Sequence, residues 1–469
     1  MPKTENSKNK ALMVGTIIYA IGNFGTKILS FLIVPLYTYY IDPIAMGEYD
    51  LIITTISLLT PIITFQISDG AYAYMIKKTE KSEMYIVAVY KFVLLSTLIG
   101  AVIILSVNVF ISIPYAFYFV LLLLSSRWLQ TMQKLLRGLK NQKLFAFSGV
   151  VYTTIFLVLN VLQIVVLKQG VEALFQSAII ANLIAMVLIL AMEKRMRKLH
   201  FSMKSFELQK EMLKFSIPII PNQLNWWIIN SSDRYIIKFF LGSAANGIYA
   251  IAHKFPSLLQ LIFNIFYQAW QDMAVADTDQ DYGQFYTKVF RYYYKLSFTL
   301  LIFLIPFTKF FIRIAMSEAY SESTGYIAFL YLGTVFQAFS AFFGVGYMKN
   351  NKTSQAATTS VYGALINAVV NIGLIQFIGL YAAAISTFVG FFIMFLVRVK
   401  QTKDIMKITI AWREFILLFV LAFVSACIAS ISGIAVDTGM MIVGALLFVL
   451  YNNSELKMAI NIVAKKLKR

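Results

Sequence analysis

Long apolar stretches and short polar connections alternate along this chain from one end to the other. Apolar runs of about 20 residues recur, the length that an α-helix needs to cross a hydrocarbon core about 30 Å thick. The pattern predicts an all-α integral membrane protein with about 14 transmembrane helices. The predicted spans are residues 12–40, 47–76, 84–111, 114–136, 144–167, 172–192, 214–241, 247–276, 289–316, 324–348, 354–376, 381–397, 411–432 and 438–451.

Composition agrees with this prediction. Of the 469 residues, 59% are hydrophobic and 13% are charged, and the mean hydropathy is +0.73. A soluble domain cannot bury that much apolar surface, whereas lipid can cover it. The polar, basic segment "MPKTENSKNKA" precedes a long apolar stretch that no small-residue cleavage site interrupts. We therefore expect a retained first helix rather than a signal peptide.

The net charge of +19 could indicate a nucleic-acid partner, but the location of the charge argues against one. If the N-terminus is cytoplasmic, the inner loops and both tails hold 27 Lys and Arg residues, and the outer loops hold Lys168 alone. Basic clusters such as "KKTEK" at 77–81 and "KKLKR" at 465–469 lie on the inner side, with "DTDQD" at 277–281 as an acidic exception. This asymmetry is the positive-inside rule, and it predicts cytoplasmic N- and C-termini.

Few residue types suited to catalysis or metal binding are present. Cys427 is the single cysteine, and His200 and His253 are the two histidines. The sequence has no P-loop for ATP, and its predicted outer loops are short apart from "SEAYSESTG" at 317–325. We therefore predict no cofactor, no metal site and no enzymatic activity, and we disfavour a membrane glycosyltransferase or polymerase.

A short motif repeats at an offset of 200 residues: "GEYDLI" begins at Gly47 and "GIYAIA" begins at Gly247. The longest basic connection divides six predicted helices from six more, and two further helices follow. Because six is even, both halves enter the membrane in the same orientation, which predicts a duplication about an axis along the membrane normal with a pathway between the halves. The predicted segments are a cytoplasmic tail (1–11), an N-terminal six-helix bundle (12–192), a basic cytoplasmic linker (193–213), a C-terminal six-helix bundle (214–400), and two extra helices with a basic tail (401–469).

Thirteen Lys and Arg residues lie within the predicted spans, where a central charge facing lipid would cost several kcal/mol. For those near helix ends, such as Lys309 and Arg313, we expect the long side chains to snorkel to the headgroups. Lys27 lies about 15 residues, or ~22 Å, from the start of its helix and shares a polar stripe with Asn23. A buried ion pair is an alternative for Lys27, but we favour a hydrated cavity.

Predicted helices four, seven and eight also carry polar stripes. Helix four contributes Arg127, and helix seven contributes Asn230 and Arg234. Because adjacent residues do not face one another on a helix, we expect Asp233 to pair with a cation on another helix. A structural salt bridge and a cargo-binding role both remain open for Asp233 and Arg234.

Helix eight has the longest stripe, which advances by three- and four-residue steps over nearly a bilayer thickness. Its members are His253, Ser257, Gln260, Asn264, Gln268 and Gln271, with Lys254 close to the same face. Helix-to-helix hydrogen bonding is the structural alternative, and a lone membrane histidine is more often structural than a proton relay. The length of the stripe favours a wet pathway.

The segments "GNFGTKILSFLIVPLYTYYIDPIAMGEYDLI" (22–52) and "FSIPIIPNQLNWWIINSSDRYIIKFFLGSAANGIYAIAHK" (215–254) resemble the polysaccharide transporter family. That family includes the Wzx-like flippases for O-antigen and capsule repeat units, and it lies within the multidrug/oligosaccharidyl-lipid/polysaccharide superfamily. The resemblance covers nearly the whole chain. It implies export of a polyprenyl-pyrophosphate-linked oligosaccharide from the inner to the outer leaflet of a bacterial cytoplasmic membrane, with membrane lipids, a polymerase and other polysaccharide assembly proteins as partners.

The resemblance further implies that helices one, two, seven and eight line a cleft with alternating access. Cations there would attract the pyrophosphate, and Arg would add paired hydrogen bonds to its oxygens. The predicted substrate-binding residues are Lys27, Arg127, Arg234, Lys254, Asn23, Asn230, Gln260 and Asn264. Candidate coupling-ion residues are Asp69, Asp233 and His253.

Two other transport functions remain open. A lipid II flippase would also have fourteen helices and a cationic cavity. A multidrug antiporter shares the superfamily topology, but it usually has twelve helices and acidic cavities suited to cationic drugs, so it fits less well.

Neutralising Lys27 or Lys254 should stop export of the lipid-linked sugar without lowering protein levels, because each removes a charge that attracts the pyrophosphate. Surface polysaccharide, measured beside membrane protein abundance, checks this. Unchanged polysaccharide in both variants would contradict the cationic-cavity hypothesis.

Overall fold

The computed structural model describes residues 31–77, 82–197, 205–276, 282–350 and 353–453, and this part of the chain is helical without strands. The α-helices in chain order are α1 (Val34–Tyr40), α2 (Pro43–Thr64), α3 (Ile67–Lys77), α4 (Ser82–Phe110), α5 (Ala116–Gly138), α6 (Gln142–Val161), α7 (Glu172–Met192), α8 (Phe206–Ser216), α9 (Ile220–Ser231), α10 (Asp233–Ala276), α11 (Tyr282–Ala315), α12 (Ser323–Lys349), α13 (Thr353–Ile378), α14 (Leu380–Gln401), α15 (Lys403–Met406), α16 (Trp412–Ile431) and α17 (Ile434–Tyr451).

Eleven stretches of the described chain are long and apolar enough to cross a membrane. One of them, 206–271, contains two predicted spans that a sharp kink at Gly242 separates (φ 87°, ψ −179°), a backbone conformation that favours glycine. The charged helix α5 is as long as a span but is not among the eleven, and predicted span 12–40 lies mostly outside the described residues. The all-helical, multi-pass prediction is confirmed, while the count of fourteen and the location of the termini stay predictions.

Two predicted helices are interrupted where the sequence pattern indicated continuity. Predicted span 47–76 breaks at Phe65 and Gln66, which both have positive φ, and so forms α2 and α3. Predicted span 214–241 breaks at a 3₁₀ turn that contains Pro218, because proline cannot donate to the helix ladder. The two breaks meet: the Ser216 hydroxyl donates to the Phe65 carbonyl over 2.8 Å, which satisfies a backbone group that lipid could not.

Local sequence explains where α2 begins. Asp42 precedes the helix, and its carboxylate accepts a hydrogen bond from the Ala45 backbone N–H over 3.0 Å. Pro43 occupies the first helical position, where a missing N–H costs nothing. The connection "IDPIAM" before the first repeat motif therefore contains the N-cap residue and the first turn of α2.

The chain divides into two compact units, Met1–Trp227 and Ile228–Arg469. The first unit thus extends beyond the predicted linker 193–213 and includes α8 and the first part of α9. Met212 of α8 is fully buried in a core formed with α3, α4 and α5. Gly70 of α3 lies so close to Met212 that an added Cβ would stand 2.5 Å from its carbonyl oxygen.

The second unit has an aromatic core around α12. Helix α12 packs against α10, α11, α14 and α16. Phe290, Phe336 and Phe395 lie at the centre of this core, and their rings contact further phenylalanines edge-on and stacked. The two extra helices, α16 and α17, pack along α11, so they belong to this unit.

Close packing of α17 on α11 depends on Gly444. A Cβ at that position would lie 2.7 Å from the Phe303 backbone nitrogen and 2.8 Å from the Ile302 carbonyl carbon. Gly439 lies on the same helix with no neighbour within 4 Å of an added Cβ. The two glycines therefore form a matched pair for testing the contact.

Gly444→Ala should lower the thermal unfolding temperature of the purified protein by several degrees, because overpacking a backbone contact costs about 1–3 kcal/mol. Gly439→Ala should leave that temperature unchanged or slightly higher, since alanine favours the helix. Equal stability of the two variants would contradict the close packing of α17 on α11.

Candidate functional site: buried charges and amides within each unit

Two predicted substrate-binding residues, Lys27 and Asn23, lie outside the described residues. The remaining predicted residues fall into two groups, one inside each compact unit. Arg127 and Asp69 belong to the first unit. The second unit holds Asn230, Asp233, Arg234, His253, Lys254, Gln260 and Asn264.

Arg127 is a buried cation on α5, with 7% of its surface exposed. Its Nη1 donates to the Thr60 hydroxyl of α2, and Nε and Nη2 each lie 3.4 Å from the Ser126 hydroxyl. Within the described chain, no carboxylate pairs with this guanidinium. Arg127 therefore keeps its positive charge among neutral hydroxyls.

Asp69, a candidate coupling residue, is already paired. Its carboxylate forms a salt bridge with Lys134 of α5, and both side chains are partly exposed. Lys134 follows Arg127 by seven residues, or about two helical turns. The same face of α5 thus carries one compensated and one uncompensated cation.

Polar groups of α2 also bond to the middle of predicted helix seven. The Trp227 indole N–H lies 3.1 Å from the Thr54 carbonyl and 3.0 Å from the Ser57 hydroxyl. These bonds stay within the first unit. These polar groups of α2 are therefore used for helix-to-helix bonding.

In the second unit, Asp233 and Arg234 form a buried ion pair, contrary to the expectation that Asp233 would pair with another helix. Arg234 Nη1 lies 3.0 Å from Asp233 Oδ1. Neighbouring side chains meet here because α9 ends at Ser231 and Asp233 begins α10, so the two residues stand at a helix start rather than inside a helix.

Tyr249 of the repeated motif contacts both members of this ion pair. Its hydroxyl donates to Asp233 Oδ2, and its ring centroid lies 5.8 Å from the Arg234 guanidinium carbon. Arg234 Nη1 also donates to the Asn230 carbonyl over 3.0 Å. The charge of Arg234 is therefore compensated inside the unit, which weakens its predicted role as a free cation for cargo.

A chain of amides runs beside the ion pair. Gln260 donates to the Gln337 side-chain oxygen over 2.9 Å, and Gln337 donates to the Asn230 side-chain oxygen over 2.9 Å. These residues line a small cavity with Asp233 and His253, and the cavity has room for about one water molecule. The amides and the ion pair thus form one buried polar cluster.

The stripe predicted on helix eight lies on α10, but its members have different surroundings. His253 and Gln260 line the cavity, whereas Asn264 and Gln268 are exposed on the unit. Lys254 is exposed as well. Of the site residues predicted in the second unit, the structure brings together Asn230, Asp233, Arg234, His253 and Gln260. Lys254 and Asn264 lie outside this cluster.

Sequence reasoning missed Gln337 and Arg398. Gln337 follows Thr334 by three residues in an apolar helix, a polar spacing that could have indicated it. Arg398 was assigned to an inner basic loop, yet it lies within α14 and is buried. Its guanidinium donates to the Ser340 carbonyl and to the hydroxyls of Thr359 and Ser360 over 2.8–3.1 Å.

Asn371 was also missed. It is fully buried on α13, and neither side-chain polar atom has a hydrogen-bond partner within the described chain. Asn367 lies one turn before it and donates to the Thr387 hydroxyl over 3.2 Å. Thr387 lines the cavity, so α13 reaches the polar cluster through Asn367.

The repeat offset of 200 extends to a contact. Thr60 of α2 corresponds to Gln260 of α10, and each bonds a side chain on a later helix of its own unit. In the first unit that partner is the cation Arg127, and in the second it is the neutral Gln337. The contact at this offset therefore includes a cation in the first unit and two neutral amides in the second.

A sequence model of the family described as "Polysaccharide biosynthesis protein" matches residues 12–271. The chain belongs to this family. No curated protein matches it significantly.

The fold of this chain is similar to the solved structure of the lipid II flippase MurJ in an inward closed conformation. The match has a TM-score of 0.70 at 13% identity and covers 95% of this chain and 100% of that one. A multidrug resistance MATE family transporter of the MOP superfamily, inward-facing, gives 0.64 at 13% identity, with 83% and 95% covered. An outward-facing structure of a multidrug resistance MATE family transporter gives a TM-score of 0.56 at 14% identity, with 87% of this chain and 96% of that one covered. These similarities show a MATE/MurJ-like fold.

In this polysaccharide biosynthesis protein, Asp233→Asn should destabilise the second unit by about 3–5 kcal/mol, because it leaves the buried Arg234 without its countercharge. Asp233→Asn combined with Arg234→Gln should recover much of that loss, since no buried charge remains. Denaturant unfolding of the purified variants measures both. If the double variant is as unstable as Asp233→Asn alone, the loss of stability does not come from leaving Arg234 uncompensated, which would contradict this account.

Proposed function

We propose that this protein is a flippase that moves a polyprenyl-pyrophosphate-linked oligosaccharide from the inner to the outer leaflet by alternating access, for surface polysaccharide synthesis. Membership of the polysaccharide biosynthesis protein family supports the pathway, and the MATE/MurJ-like fold supports membrane transport. The observation that carries the proposal is Arg127, a buried cation without a described carboxylate partner.

An uncompensated guanidinium inside a membrane protein is costly, so its retention indicates a use. Guanidinium has five N–H donors, and the hydroxyls of Thr60 and Ser126 take three of its hydrogen bonds. A pyrophosphate would supply both the missing negative charge and better acceptors. In the proposed cycle, the headgroup displaces these hydroxyls and takes their place on Arg127.

The other predicted cations have different proposed roles. Lys254 is exposed on α10 and can meet a headgroup directly, and Lys27 keeps its predicted role. Arg234 is bound to Asp233, so we assign it to positioning Asn230 and Tyr249 rather than to holding cargo. Neutral amides of the second unit, Asn264 among them, would meet sugar hydroxyls.

The outward step carries negative charge away from a negative-inside cytoplasm. This movement is favourable by ~2.3 kcal/mol per charge per 100 mV. Of the candidate coupling residues, Asp69 is engaged by Lys134 and Asp233 by Arg234, and Asp233 and His253 line the one-water cavity. Because two of the three candidates meet there, we assign a coupling ion to the cavity of the second unit.

A lipid II flippase is the second candidate. The MurJ likeness spans the full length of that protein and 95% of this chain, so it includes the two extra helices. Both cargoes share a polyprenyl pyrophosphate and differ in the sugar. Complementation of strains that lack either flippase separates them: restored surface polysaccharide supports the proposal, and restored peptidoglycan synthesis supports the alternative.

Arg127→Leu should abolish export, with lipid-linked oligosaccharide accumulating in the inner leaflet, because the anchoring cation is gone. Arg127→Lys keeps the charge but loses the forked donors, and it should retain part of the activity. The measurement is the lipid-linked sugar pool and surface polysaccharide at matched protein levels. Normal export by Arg127→Leu would contradict the proposal.

A further inference from the structure

Near the C-terminal end of α11, the second unit contains a buried cation that the proposed function does not use. Lys309 of α11 is 3% exposed, although its position near a helix end predicted a snorkelling side chain. Burial replaces snorkelling because a full set of oxygen acceptors lies inside the unit. That prediction is therefore wrong for Lys309.

Four oxygen atoms surround the Lys309 ammonium. Nζ lies 2.5 Å from the Ala429 carbonyl, 2.7 Å from the Ser432 carbonyl and 3.2 Å from the Ser432 hydroxyl. The fourth is Asp437 Oδ2, at 3.4 Å. We call these four acceptors the oxygen cage.

The cage is built from the turn between the two extra helices. Ala429 lies in the last turn of α16, where carbonyls have no helical partner, and Ser432 is the C-cap. Asp437 lies in the first turn of α17, and its Oδ1 accepts the Ser432 hydroxyl over 2.5 Å. The cage thus exists only while α16 and α17 keep this turn.

The negative charge around the oxygen cage explains why a cation is stable inside it. Asp437 is fully buried and is also paired with Arg313, whose Nη1 lies 2.7 Å from Oδ2. The C-terminus of α16 adds a partial negative charge, which a cation stabilises. Two cations therefore face one carboxylate and one helix C-terminus.

We propose that the oxygen cage is a binding site for a small ammonium ion, which Lys309 supplies as a tethered ligand from α11. Within the second unit, this site holds the helix pair α16–α17 against α11. Removing the side chain beyond Cβ would open a space the size of propylammonium. The same cage then accepts that ion from solution.

The sequence provides a natural probe of this contact. Cys427 is the single cysteine of the chain and lies on α16, where it is exposed. A spin label attached to it reports the mobility of α16 without further engineering. Thermal unfolding of the same purified, labelled protein gives a second readout.

Lys309→Ala should increase the mobility of the label and lower the unfolding temperature by several degrees. Propylammonium chloride at tens of millimolar should reverse at least half of both changes. Tetramethylammonium chloride at equal concentration should not, because it has the charge but no N–H donors. Lys309→Met should not respond to propylammonium, since its side chain fills the space.

Three results would overturn the proposal. One is a Lys309→Ala variant that matches the wild type in both readouts. Another is a loosened Lys309→Ala variant on which propylammonium acts no better than tetramethylammonium. If the Lys309→Ala protein does not accumulate, Asp437→Asn provides the test, because it weakens the oxygen cage while keeping its shape. The third contradicting result is an Asp437→Asn variant whose label is no more mobile than in the wild type.

Discussion

The absence of water inside a bilayer constrains every other feature of this protein. A polar or charged group buried there must find its partner within the protein, because an unsatisfied one costs several kcal/mol. Several buried charged groups meet this requirement, whereas the amide of Asn371 has no partner within the described chain. Asp233 is neutralised by Arg234 and Tyr249, Arg398 is held by a carbonyl and hydroxyls, and Lys309 is enclosed by oxygens at a helix end. Arg127 and Arg398 both have neutral partners and no carboxylate within the described chain; Arg127, held by hydroxyls alone, is the one that we assign to the pyrophosphate.

This difference gives the two units distinct chemistry at positions that lie 200 residues apart. Thr60 and Gln260 are separated by the same 200 residues as the repeated motif, yet one bonds a guanidinium and the other an amide. The first unit therefore presents charge at this position, and the second presents neutral hydrogen-bonding groups. A cargo with an anionic head and a sugar body needs both kinds of contact, which is why the family membership and the buried groups support the same proposal.

Apolar periodicity was enough to predict an all-helical, multi-pass protein, because spanning a bilayer fixes both the length and the hydrophobicity of a helix. It could not predict the break at Phe65–Gln66, because hydropathy does not register backbone conformation. The same limit explains the error on Asp233: the rule that neighbours do not face one another holds inside a helix, and Asp233 begins one. Lys309 was mispredicted because its acceptors come from residues more than a hundred positions later.

The central claim is that Arg127, a buried cation with no carboxylate partner within the described chain, binds the pyrophosphate of a lipid-linked sugar. Its most direct test is transfer of labelled lipid between leaflets in liposomes that contain the purified protein. We predict that polyprenyl-pyrophosphate-linked oligosaccharide crosses the bilayer in a protein-dependent manner, while an analogue with the same sugar on an uncharged polyprenol does not. Equal transfer of both lipids, or no transfer of the charged one, would contradict the claim.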